Sequence, residues 1–148
     1  MRVQPQVREW MSPDPITIPK SYPIMEAHEL MRERKIRRLP VVDEGRLVGI
    51  LTLGDVRGAE PSEATSLSIY ELNYLLSRLT ADRVMTHPVI TVPQDTTVDV
   101  AAEMMLENKI AGLPVMDGDR LVGIITESDI FRMVVKLWEQ EPVAEPVL

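Results

Sequence analysis

The sequence predicts a mixed α/β (α+β) fold in which one small unit, a short sheet with flanking helices, is used twice. Three observations carry this. Residues 7–56 align without a gap on residues 81–130, 74 residues later, with 21 identities in 50 positions. Within each copy, short β-branched runs alternate with segments whose apolar residues recur at helical spacing. Two copies of so long a period describe a duplicated supersecondary unit, whereas a solenoid needs at least about three repeats to bury a continuous core. Two such copies should pack around a pseudo-twofold axis and share a core, because a half of this size buries too little surface alone. Clefts between equivalent surfaces are then the natural ligand sites.

Each copy reads strand, helix, strand, strand, helix. Pro15–Ile18 and Val89–Val92 are brief strands closed by Pro19 and Pro93. Ile24, Ala27 and Met31, and in the second copy Val98, Ala101 and Met105, mark amphipathic helices. Pro23 suits a first helical position, and Thr96 with Asp99 resembles a capping pair. Leu39–Val42 and Leu113–Met116 then lead through three-residue turns, Asp43-Glu-Gly45 and Asp117-Gly-Asp119, into Arg46–Thr52 and Arg120–Thr126. Gly49 and Gly123 interrupt those strands at the same place, which signals a bulge or a close backbone approach.

The closing helix of the second copy is predicted over about Glu127–Glu139, with Ile130, Val134 and Leu137 on its packed side. In the first copy it is cut short by Gly58 and Pro61, and residues 57–65 form a polar connector. Leu67–Leu79 is again helical, with Leu67, Tyr70, Tyr74 and Leu75 as inward contacts. The expected organisation is a first repeat over 1–65, an inter-repeat helix over 66–80, a second repeat over 81–140 and a flexible tail over 141–148.

Composition narrows the function. The formal net charge of -7 opposes general attraction to nucleic acid or anionic membrane, although the cluster Arg32, Arg34, Lys35, Arg37, Arg38 is a local exception. No run reaches the length of a membrane span and no signal-peptide pattern opens the chain, so the cytoplasm is the expected location. Cysteine is absent, and His28 and His87 lack a second ligand at metal spacing, so neither thiol chemistry nor a metal site is expected. No triad or acid/base pair is evident, and an enzyme is not expected. Gly49–Gly54 has the glycine spacing of a phosphate loop, but Asp55 stands where that loop needs lysine.

The tightest repeat is Gly-Ile-Leu/Ile-Thr-x-x-Asp, Gly49–Asp55 and Gly123–Asp129. Thr followed three residues later by an acid is close to a helix-capping pattern. The same residues at a helix N-terminus can also take a polyhydroxyl or anionic ligand, since a carboxylate accepts from two vicinal hydroxyls such as those of a ribose. Both roles are open.

These motifs, with the early Ile-Thr strand and the Lys-Ile-x-x-Leu-Pro-Val-x-Asp stretch, resemble the cystathionine beta-synthase (CBS) domain family over residues 7–57 and 81–136. The chain is similar to the stand-alone CBS pairs of the acetoin-utilisation type, partly through Ser66–Leu79. The resemblance implies tandem CBS repeats forming a regulatory module, commonly a homodimer, that binds AMP, ADP, ATP or S-adenosylmethionine between repeats. It implies no required cofactor, and as partners only the nucleotide, a second copy and an unidentified regulated enzyme or transporter. Carried over residue by residue, the stronger pocket combines Ile124, Thr126 and Asp129 with Pro15, Ile16, Lys35, Arg37 and Arg38. The weaker one combines Ile50, Thr52 and Asp55 with Val89, Ile90, Lys109, Ala111 and Gly112. The inequality comes from Arg34-Lys-Ile-Arg-Arg38 facing Asn108-Lys-Ile-Ala-Gly112 in the alignment, which removes three cations from the second copy. The alternative is a ligand-free scaffold in which Thr-x-x-Asp only caps helices.

Overall fold

Alternating apolar positions dictate a strand pair in each copy, and the computed structural model, which describes residues 4–60 and 66–140, forms both. The described residues divide into two compact units, residues 15–60 with 66–89, and residues 4–14 with 90–140. Each unit takes its opening helix from the other copy. In the second unit, α1 (Val7–Trp10) is tied to second-copy residues by Val7 N–H donating to the Thr96 carbonyl at 2.8 Å. In the first unit, α5 (Ala81–Val84) is tied to first-copy residues by Ala81 N–H donating to the Tyr22 carbonyl, also at 2.8 Å.

The first unit holds a three-stranded sheet in the order β2 (Ile18–Pro19), β3 (Arg38–Asp43), β4 (Arg46–Thr52). The second holds β1 (Ser12–Pro13), β7 (Arg120–Thr126), β6 (Gly112–Asp117) and β5 (Val92–Pro93), in that order. β3 with β4 and β6 with β7 are antiparallel, while β2 and β5 join in parallel. The early strands are shorter than the sequence suggests, because the parallel pairing involves only two residues on each. The hairpin turns have two residues, not three. Glu44 and Gly45 both take left-handed backbone, the requirement of a tight turn that matches strand twist, whereas in the second hairpin Gly118 alone does so.

The cores are equivalent position by position. Ile18, Ala27, Met31, Leu39, Val41, Leu51 and Ala81 fill the first, and Val92, Ala101, Met105, Leu113, Val115, Ile125 and Val7 fill the second. The long helices of the two copies, α2 (Ile24–Arg34) and α6 (Val98–Asn108), contribute their predicted apolar faces. Pro23 is the residue before α2 rather than its first residue, and Thr97 rather than Thr96 precedes α6. Both helices end on a lysine in left-handed conformation, Lys35 and Lys109, followed by Ile36 and Ile110 donating back to Met31 and Met105. This bond across five residues closes a helix end whose carbonyls would otherwise lack donors.

α3 (Leu53–Ala59) includes Gly58 rather than stopping at it. α4 (Ile69–Arg78) forms as expected but does not bury its apolar side: Tyr70 is 83% exposed and Tyr74 57%. Leu67 and Leu75 are likewise exposed, so the four are not inward contacts. α7 (Glu127–Gln140) tucks Ile130 and Met133 partly against the second core while leaving Val134 and Leu137 exposed. Pro61, much of the expected connector and the expected tail lie outside the described residues.

Gly49 and Gly123 both sit at the predicted bulge, and at Gly123 a backbone atom, the Ser12 carbonyl oxygen, also comes close. The ladder register slips opposite them, with Val48 and Val122 as the extra residues, and each glycine faces a methionine. A Cβ added at Gly49 would meet the side chain of Met85, with its Cγ at 2.8 Å. One at Gly123 would meet Met11, with its Cγ at 2.9 Å. The two methionines are themselves equivalent in the repeat.

Candidate functional site

In both units the strand-to-helix junction after β4 or β7 presents a threonine and an aspartate. Its position is fixed by the hairpin: Arg38 pairs with Thr52 and Gly112 with Thr126. One more bond closes the corner, Leu53 N–H to the Arg37 carbonyl at 2.9 Å and Glu127 N–H to the Ala111 carbonyl at 3.0 Å. Thus the residues just before Leu-Pro-Val lie beside the Thr-x-x-Asp turn of their own unit.

In the first unit Thr52 and Asp55 form a reciprocal capping box. Thr52 N–H donates to Asp55 Oδ2 at 2.9 Å, and Asp55 N–H donates to Thr52 Oγ1 at 3.0 Å. The Thr86 hydroxyl lies 3.2 Å from both carboxylate oxygens. Thr86 reaches this place because its backbone bridges Ile50 from both sides, N–H to carbonyl at 2.9 and 3.1 Å. Pro15 and Ile16 lie just before β2, with Ile16 packed against the first core, and Val89 is the last residue of the unit. Arg37 and Lys35 are exposed and Arg38 is half-buried, while Arg32 and Arg34 sit in the last turn of α2, where cations meet the negative helix end.

In the second unit the capping differs. Asp129 Oδ2 accepts from Thr126 N–H at 2.9 Å and from the Thr126 hydroxyl at 3.1 Å, while Oδ1 accepts from Arg132 Nη1 at 2.8 Å. Asp129 is the buried charged residue among those described, at 3% exposure. Ser12, the repeat equivalent of Thr86, pairs with Ile124 on the strand. Ile90 is exposed before β5, Lys109 caps α6, Ala111 is half-buried and Gly112 is buried.

The structure therefore assembles each expected Thr and Asp on one short turn, with the expected Ile50 and Ile124 two residues earlier on the strand that leads into it. It also brings in Thr86 and Arg132, which reasoning from sequence missed. The signal for both was a difference between copies: Thr86 against Ser12, and Arg132 against Gly58. Thr86→Val is expected to lower stability by about 0.5–1 kcal/mol through loss of its bond to Asp55. Ser12→Ala should be nearly silent, and urea unfolding of the two variants reads the difference.

Among the described residues no group of His, Asp and Glu is placed to hold a metal ion, and no helix is long and apolar enough to cross a membrane. The chemistry on show is that of hydrogen-bond acceptance by carboxylate, twice over.

The chain matches the CBS domain over residues 7–62 and again over 81–136, which takes in both Thr-x-x-Asp turns. It belongs to the CBS domain family. Solved CBS pairs carry the likeness along nearly their whole length. A putative acetoin utilization protein (AcuB) from Vibrio cholerae is 30% identical with a TM-score of 0.78, covering 97% of this chain and all of that one. The CBS domain pair of protein MJ0100, solved in complex with 5′-methylthioadenosine and S-adenosyl-L-methionine, is 34% identical with a TM-score of 0.75, covering 91% of this chain and 99% of that one. CBSX2, solved in complex with AMP, is 28% identical with a TM-score of 0.75, covering 90% and 98%. Among curated relatives, L-aspartate semialdehyde sulfurtransferase of Methanocaldococcus jannaschii is 36% identical over 129 residues, but the chain spans only 23% of its length. The enzymatic name belongs to that longer protein.

Proposed function

We propose that the chain is a regulatory CBS pair that senses adenosine-containing nucleotides, with Asp55 and Asp129 accepting ribose hydroxyls. The observation that carries this reading is the likeness, over nearly the full chain, to CBS pairs solved with AMP or with S-adenosylmethionine and methylthioadenosine. The twofold occurrence of Thr-x-x-Asp at a strand-to-helix corner supports it, because a carboxylate held by its own helix start is a pre-set acceptor for a diol. No chemical step is assigned to the protein, and it acts in the cytoplasm. The carry-over of Arg37 and Arg38 as phosphate partners of an Asp129-bound nucleotide, with Pro15, Ile16 and Lys35, rests on the family resemblance, and the weaker standing of the Asp55 set rests on the three cations missing from Asn108–Gly112.

Thermal unfolding tests the reading. AMP, ADP, ATP, S-adenosylmethionine and NADH are each added, and at least one should raise the melting temperature, since a ligand at about 100 times its Kd stabilises the fold by about 2.7 kcal/mol. Arg38→Ala should weaken AMP binding by about tenfold or more in calorimetry, the effect of one charge-assisted contact.

A second reading, a ligand-free scaffold, is favoured by the hydrogen bonds already made by both carboxylates and by the exposed apolar residues of α4 and α7, among them Tyr70, Phe131 and Trp138. We propose homodimer formation through such faces under either reading. The scaffold alone predicts a dimer in sedimentation with no thermal response to any of the five compounds.

A further inference from the structure

The two site carboxylates differ in what already occupies them. A carboxylate offers about four acceptor positions. Asp129 uses three, for Thr126 N–H, the Thr126 hydroxyl and the Arg132 guanidinium. A ribose diol brings two donors, so one present partner has to leave. Thr126 N–H is fixed by the backbone at the start of α7. Arg132 is the mobile member: its side chain is 55% exposed while the carboxylate it covers is 5% exposed. At the equivalent position of the first unit stands Gly58, on α3, with nothing within 4 Å of where a Cβ would be. Among the described residues no guanidinium bonds Asp55, whose oxygens accept from Thr52 N–H and from the Thr86 hydroxyl, a neutral donor that a diol replaces without stranding a charge.

Resting on the reading of Asp129 as a sugar acceptor, we propose that Arg132 makes this site selective for ligands that bring an anionic group together with the sugar. In the ligand-free protein Arg132 holds Asp129. When a diol takes the carboxylate, the guanidinium turns to the phosphate of the nucleotide, exchanging one oxyanion partner for another of matching fork geometry. A nucleoside breaks the same ion pair and offers nothing in return. Asp55 imposes no such condition, so the two units discriminate differently between nucleotide and nucleoside.

The test compares AMP with adenosine by calorimetry in an Asp55→Asn chain, where only Asp129 reports, with and without Arg132→Gln. The AMP-to-adenosine affinity ratio should fall by about tenfold or more on Arg132→Gln, with adenosine binding unchanged or tighter. The reciprocal variant, Gly58→Arg in an Asp129→Asn chain, has open space around its Cβ and should raise the ratio at Asp55. A ratio indifferent to Arg132 while AMP still binds overturns the selectivity and leaves nucleotide sensing intact. Absence of AMP and adenosine binding in the unaltered chain overturns both.

Discussion

Asp129→Ala is expected to lower AMP affinity at the second unit by about 100-fold or more, the combined effect of the two charge-assisted bonds to a ribose proposed for this carboxylate. The same change removes the acceptor for Thr126 N–H and its hydroxyl, so the first turn of α7 loses its cap. That costs about 1 kcal/mol of stability. Arg132 is already half in water and is not left as a buried orphan charge. Calorimetry separates the two effects, because Asp129→Asn retains an acceptor for the cap while losing the charge that the sugar contacts require. Asp55→Ala should cost AMP affinity much less, and equal losses at the two aspartates would refute the unequal pockets.

The largest expected effect on stability falls at Gly123. A Cβ there would lie 2.9 Å from the Ser12 carbonyl oxygen as well as against Met11, and Ser12 is fixed because Ser12 and Pro13 pair with Ile124 and Gly123. Backbone cannot step aside without giving up the β1–β7 ladder. Gly123→Ala is therefore expected to destabilise by about 3 kcal/mol, the upper part of the range for overpacking. At Gly49 the three atoms nearest an added Cβ all belong to the flexible side chain of Met85, which can rotate away, so the cost of Gly49→Ala should be about 1 kcal/mol. Urea titration of the two variants reads the gap directly, and equal midpoints would mean that Met11, not the Ser12 backbone, sets the cost at Gly123.

Much of this architecture was legible in the sequence because the two copies check each other. Where Leu39, Val41 and Leu51 recur as Leu113, Val115 and Ile125, strand register and buried face follow together, and both glycines announce their bulges. Which unit each opening segment joins was not legible. Val7 bonding to Thr96 and Ala81 bonding to Tyr22 are long-range choices, and the local pattern is the same whichever partner is taken. Periodicity also shows that α4 and α7 each have an apolar stripe, but not what meets it, which is why it predicts Tyr70 and Val134 inside while both are exposed. At the site, the recurring Thr and Asp were readable from their spacing. Arg132 was readable only as a departure from Gly58, and its meaning depended on seeing the guanidinium on the Asp129 carboxylate.

The traded opening helices mean that the polypeptide has no midpoint at which it can be halved into self-sufficient pieces. Severed near residue 80, the leading fragment would keep α1 but lack Ala81 for its own core, and the trailing fragment would keep α5 but lack Val7. Each would carry the plug that fits the other's socket, so the separated fragments should complement when mixed. An ancestral single copy would have completed its interior only by folding its own helix back or by lending it to a sister molecule.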